Sequence, residues 1–154
     1  MANHNFFMEE ALKEAKKAYE LKEVPIGAVV VYQDEIIGRG YNRREIDSDP
    51  TAHAEMIAIK EAAEALNNWR LEECSLYVTV EPCLMCAGAM LKARIQKVVY
   101  GAKSKKDGVS GSLMNILQDD RLNHQVDIVS GFKAEECSNL LKNFFKELRT
   151  RKDG

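Results

Sequence analysis

The chain has 154 residues, 45% of them hydrophobic and 30% charged, with a formal net charge of −2. That length suits one domain around one core, and the composition is that of a soluble globular protein rather than a fibrous or disordered one. No apolar run approaches a membrane span. Phe6-Phe7-Met8 is too short for a signal-peptide core and no small-residue cleavage site follows it, so a cytoplasmic protein is expected. The acidic balance excludes a global electrostatic pull toward nucleic acid, but not a local one.

Met8, Ala11, Leu12, Ala15, Ala18 and Tyr19 recur at three- and four-residue spacing, which predicts an amphipathic helix over the first twenty residues. Pro25 and Gly27 break it. The run Ala28-Val29-Val30-Val31-Tyr32 predicts a buried strand, Gln33-Asp34-Glu35 a turn, and Ile36 to Tyr41 the returning strand of a hairpin. After a polar loop from Asn42 to Pro50, a helix is predicted from about Ala52 to Leu66, ended by Asn67-Asn68. Ser75 to Val80 reads as a third strand. Pro82, which fixes φ and needs no amide hydrogen, suits the opening of a helix to about Lys92. Lys97 to Tyr100 is a fourth strand stopping at Gly101, followed by a Lys103–Gly111 loop with two glycines. A short helical piece around Leu113 to Leu117 leads to a fifth strand, Val126 to Val129. A final helix from about Lys133 to Arg151 carries Cys137, Leu140, Leu141, Phe144, Phe145 and Leu148 on its apolar side. Strands alternating with helices predict one layered α/β domain over residues 1–154, with helices on both sheet faces.

The residues that carry chemistry fall at two predicted helix starts. His53-Ala54-Glu55 opens one; Pro82-Cys83-Leu84-Met85-Cys86 opens another. Cys83 and Cys86, three apart, face the same way in a first turn, where the positive end of a helix favours the metal-binding thiolate. Two thiolates and an imidazole suit tetrahedral zinc, and three protein ligands with an open position mark a catalytic site. Cys-x-x-Cys alone also fits a redox pair, but such a pair has no use for His-x-Glu at a second helix start. A structural zinc would want a fourth ligand, and His4, His124, Cys74 and Cys137 lack a paired motif. Glu55 is the expected proton carrier. His-x-Glu followed by Pro-Cys-x-x-Cys is itself the known signature of zinc nucleobase deaminases. Cys74 and Cys137 are expected to be buried packing residues. Lys92, Arg94, Lys97, Lys103, Lys105 and Lys106 form a stretch with no intervening acid, and Lys142, Lys146, Arg149, Arg151 and Lys152 face only Glu147; such runs are either phosphate-binding patches or solvated faces.

Over nearly its full length the chain resembles the bacterial tRNA-specific adenosine deaminases. The matching stretches include Val24-Pro25-Ile26-Gly27-Ala28, Pro50-Thr51-Ala52-His53-Ala54-Glu55, Glu81-Pro82-Cys83 and Met85-Cys86-Ala87-Gly88-Ala89. The zinc core alone would also admit free-base and cytidine deaminases; Gly111-Ser112-Leu113-Met114-Asn115 and Phe144-Phe145 point to the tRNA branch. The resemblance implies a three-layer α/β/α sandwich with a five-stranded mixed sheet, cytidine-deaminase-like, and a homodimer. It also implies conversion of adenosine to inosine at the wobble position (34) of tRNA. By position it makes His53, Cys83 and Cys86 the ligands of one zinc per subunit and Glu55 the proton shuttle. It places Asn42 against the flipped base and Ile26 in the pocket wall. For the anticodon stem-loop it points to Ser104, Lys106 and the neighbouring Lys105, and to Phe144, Phe145 and Arg149 on the final helix. Adjacent helical positions point about 100° apart, so one of Phe144 and Phe145 is expected in the core and the other nearer the RNA. Many relatives carry an acidic residue where this chain has Ser104, which weakens the expected contact to a ribose hydroxyl.

Overall fold

In chain order the computed structural model, which describes residues 3–153, runs α1 (His4–Glu20), β1 (Gly27–Tyr32), β2 (Glu35–Tyr41), α2 (Ala54–Leu66), β3 (Ser75–Val80), α3 (Leu84–Lys92), β4 (Lys97–Ala102), a 3₁₀ turn (Ile116–Gln118), β5 (Asp127–Val129) and α4 (Ala134–Asp153). The five strands form one sheet in the order β2-β1-β3-β4-β5. β1 pairs antiparallel with β2 and β3, while β3, β4 and β5 run parallel. The sheet is therefore mixed, as the resemblance implies.

Both faces of the strands are apolar because both are covered. Val30, Leu76, Val78, Val98 and Tyr100 point into one core with α2 and α3. Val29, Val31, Tyr77 and Val99, one residue out of phase, point into a second core with Phe7, Met8, Ala11 and Leu12 of α1 and Cys137 of α4. The period-2 pleat thus splits each strand between two helical layers. Cys74 and Cys137 are buried at 0% and 1% exposure, the packing role expected of them.

Boundaries shift for local reasons. The hairpin turn is two residues, Gln33 and Asp34, both at positive φ (50° and 63°), so Glu35 already pairs with Tyr32; turns of that hand match strand twist. The second helix begins at Ala54, not Ala52, because His53 stays extended as its N-cap. The third begins at Leu84 rather than at Pro82, with Cys83 extended as N-cap. β4 runs through Gly101 to Ala102, since Glu81 N–H still donates to the Ala102 carbonyl at 2.8 Å. The helical piece expected at Leu113–Leu117 is only the 3₁₀ turn at Ile116–Gln118, and the last strand begins at Asp127 rather than Val126. Lys133 takes a positive φ of 54°, so α4 starts one residue late. Gly40 sets how closely α2 approaches the sheet: a Cβ there would overlap the Ala54 carbonyl, so only glycine lets the start of α2 lie this close on β2.

Candidate active site

Two helix starts converge beyond the carboxyl ends of the parallel strands, where open α/β sheets bind ligands. β3 ends at Val80 and the chain turns through Glu81 and Pro82 into Cys83. His53 and Cys83 are both N-cap residues, with extended backbones (φ −83°, ψ 151° and φ −81°, ψ 176°), and neither side chain caps its own helix. The ring and the thiol are therefore free to face each other across the gap between α2 and α3. His53 Nδ1 stands 3.6 Å from Cys83 Sγ and 3.6 Å from Cys86 Sγ. Zinc–nitrogen and zinc–sulfur bonds of about 2.05 and 2.3 Å at the tetrahedral angle place N and S about 3.6 Å apart. Both N–S distances match the corresponding edge of a zinc tetrahedron, and among the described residues the three side chains form a group that could hold a metal ion, their ligand atoms all within 4.8 Å of one another.

The electrostatics match. Hydrogen bonding from Cys86, together with His53, holds the Cys83 thiol down at about 4, as a thiolate. The same contact and burial push Cys86 far up, so the pair shares one proton. The hydrogen bond to Cys83 raises the His53 imidazole above its ordinary value. Glu55, 4% exposed, sits in the first turn of α2. Burial pushes its carboxyl up to about 7, a value suited to a group that both takes and gives protons near neutrality.

An open cavity of about 280 Å³ lies over this cluster, lined by Val24, Ile26, Asn42, Arg44, His53, Ala54, Glu55, Val80, Glu81, Cys83, Ser104, Asp107 and Phe145. Of the residues expected from sequence, it brings together Ile26, Asn42, Ser104 and Phe145 with His53, Glu55 and Cys83; Cys86 closes the cluster from beneath, fully buried. Asn42 is 6% exposed and already engaged: its Nδ2 donates to the Val24 carbonyl (3.2 Å) and its Oδ1 accepts from Arg44 N–H (3.1 Å). One amide hydrogen and one lone pair remain for a ligand, so the turn role and the binding role coexist in one side chain. Phe144 lies outside the cavity: it is 8% exposed and packs edge-on against Tyr19 at 5.7 Å. Phe145 is 40% exposed and faces the cavity, the split that adjacent helical positions predict. Lys105, Lys106 and Arg149 are exposed and stand away from the lining. Val24, Arg44, Ala54, Val80, Glu81 and Asp107 also line it, without having been singled out from sequence. Glu81 and Val24 at least lie in stretches that carry the resemblance; Arg44 and Asp107 belong to charged loops where one polar residue reads like the next.

The family model for MafB19-like deaminases matches residues 2–149. The tRNA-specific adenosine deaminase of Bacillus subtilis (strain 168) is 55% identical over 152 residues, covering 99% of this chain and 94% of its own. The chain belongs to the tRNA-specific adenosine deaminases. It is accordingly a hydrolase. The family's member from Aquifex aeolicus (strain VF5) is 51% identical over 144 residues, covering 94% of this chain and 95% of its own. A solved structure from a study of A-to-I editing by tRNA:A34 deaminases at the wobble position of transfer RNA superposes with a TM-score of 0.86 at 44% identity. It covers 89% of this chain and 99% of its own. The shared fold includes the five-stranded mixed sheet between helices.

Proposed function

We propose that this protein deaminates adenosine to inosine at the wobble position (34) of tRNA, using one zinc ion per subunit. The observation that carries the reading is the His53–Cys83–Cys86 cluster with the buried Glu55 beside it, at the floor of an open cavity. Zinc bound there would supply a nucleophilic water at neutral pH, lowering its pKa from 15.7 to about 7. His53, Cys83 and Cys86 would hold the ion, whose charge would displace the proton that the two thiols share. Glu55 would take one proton from the attacking water and pass it to a ring nitrogen of adenine, then carry the proton of the new C6 hydroxyl to the amine, which leaves as ammonia; the site of attack is C6. Ile26 closes one side of the base pocket, and Asn42 offers its remaining amide hydrogen and lone pair to the base edge. Phe145 presents an aromatic face at the rim, suited to stacking on an unpaired base.

The partner in this reading is the anticodon stem-loop, whose loop bases are already splayed and cost little to extrude. Ser104, Lys105 and Lys106 on one side, and α4 with Arg149 on the other, meet its backbone, while Phe144 supports that helix from within. Residues 1–154 work as a single domain, in the cytoplasm. In this reading the protein is a homodimer, and α3 offers room for a second copy: Leu84 is 58% exposed and Gly88 has open space above it. Among the described residues no helix is long and apolar enough to cross a membrane.

A substrate panel tests the function. The protein is incubated with tRNA bearing a wobble adenosine, a stem-loop mimic, guanine, cytosine and cytidine, and inosine and ammonia are measured. Inosine in tRNA and in the stem-loop is expected; activity confined to free bases or cytidine overturns the reading.

A further inference from the structure

One wall of the cavity hangs on a residue that the zinc chemistry does not use. Glu81 lies between the end of β3 and Pro82-Cys83, and is 4% exposed. Four donors of the following loop converge on its carboxylate. Oε1 accepts from Ser104 N–H (3.2 Å) and from the Ser112 hydroxyl; Oε2 accepts from Ser110 N–H (2.9 Å) and Ser112 N–H (3.0 Å). The backbone tightens the same join: Val109 N–H donates to the Pro82 carbonyl at 3.1 Å and Gly108 N–H to the Ser104 carbonyl at 2.8 Å. Gly108 sits directly on the carboxylate, and any Cβ there would fall on it. The loop that carries Ser104 and Asp107 into the cavity is therefore wrapped around one side chain, and that side chain is two residues from Cys83 in the chain.

We propose that Glu81 is a positioning residue for substrate binding, setting where the Ser104–Ser112 wall stands relative to the Cys83 helix start and so how a polynucleotide enters the cavity. The inference rests on the proposed RNA substrate. Glu81 does not touch the reacting atoms; it acts through the loop. A carboxylate fits because both oxygens must accept. A carboxamide sets its NH₂ group against Ser110 N–H and Ser112 N–H or, turned over, against Ser104 N–H, where only the Ser112 hydroxyl can rotate to accept, so at least one backbone donor loses its partner and the wall loosens while the metal cluster keeps its own framework of α2 and α3.

Glu81→Gln and, separately, Gly108→Ala are prepared as full chains with zinc. Both are compared with wild type on a wobble-adenosine stem-loop, with zinc content measured alongside. KM is expected to rise about tenfold in each, with kcat and zinc content within about twofold of wild type. The double variant should lose less than the product of the two single effects, because both act on one contact. Amide exchange at Ser104, Ser110 and Ser112 should quicken in both single variants. Unchanged KM in both, or loss of kcat and zinc with KM unmoved, overturns the proposal; so does unchanged exchange. Failure of the wild type itself to deaminate the stem-loop would overturn the function reading, visible before any variant is compared, and the exchange result would still decide whether Glu81 holds the loop.

Discussion

Phe144 and Phe145 are neighbours in sequence with the same side chain, and the fold assigns them opposite jobs. Phe144 is 8% exposed, wedged edge-on against Tyr19 of α1. Truncating a buried phenylalanine to alanine costs about 3–5 kcal/mol, through lost transfer energy and the cavity left behind. For a chain of this size each kcal/mol lowers Tm by about 2–4 °C, so Phe144→Ala should melt roughly 6–20 °C below wild type. Phe145 is 40% exposed and rims the cavity. Its truncation gives up only part of a side chain's burial, about 1 kcal/mol, and a Tm drop of about 2–4 °C. It gives up instead a stacking surface, worth about 1–3 kcal/mol per base, so KM for a stem-loop should rise about 5- to 150-fold. Thermal unfolding followed by circular dichroism and initial-rate kinetics, the latter run well below the melting range, separate the two. Equal melting shifts for the two variants would refute the reasoning, and so would a larger KM effect from Phe144→Ala than from Phe145→Ala.

Glu55→Ala should keep its zinc, measured by metal analysis, and lose about 10²–10⁴-fold in kcat; near-wild-type inosine formation would remove Glu55 from proton transfer. Arg149→Ala should weaken stem-loop binding and lower the slope of log K against log salt by about one; an unaltered slope and affinity would take the end of α4 off the RNA. His4 makes a 2.7 Å hydrogen bond to Tyr77 and packs against Phe132, and burial, then Lys97, hold its pKa below 6.5. The fold thus favours the neutral ring: this contribution is complete above pH 6.5 and is lost as pH falls through 6.5 toward the folded value. Tm should therefore drop on acidification from pH 7.5 to 5.5, and drop less in His4→Gln; equal drops would show that His4 is not the titrating group.

The strands were legible because their β-branched runs have few other uses: Ser75–Val80 stands as expected, and β1 and β2 differ by one residue at an end. That His53, Cys83 and Cys86 come together was legible because their spacing and their placement at helix starts have one economical explanation, and the fold brings the three within reach of one ion. What eluded sequence reasoning depends on partners distant in the chain. The Lys103–Gly111 stretch reads as a glycine-containing loop, and nothing local says that it folds around Glu81. Asn42 reads either as a turn residue or as a ligand to the base, and only the fold reveals that half its hydrogen-bonding capacity is already spent on Val24 and Arg44. Arg44 and Asp107 reach the cavity because their loops bend there, a property of anchoring rather than of composition.

The sheet also acts as a partition. The helices whose starts hold the metal cluster, α2 and α3, lie on one side of it, and α1 and α4 lie on the other, each pair with its own core. The two sides meet at the strand ends, where Phe145 of α4 and His53 at the start of α2 line the same cavity. If the proposed function holds, changes along the outer face of α4 should alter which RNA is held without being felt at His53, Cys83 and Cys86, since distant sites with no shared partners act additively. A single framework can in this way retain one reaction while its range of nucleic-acid partners drifts.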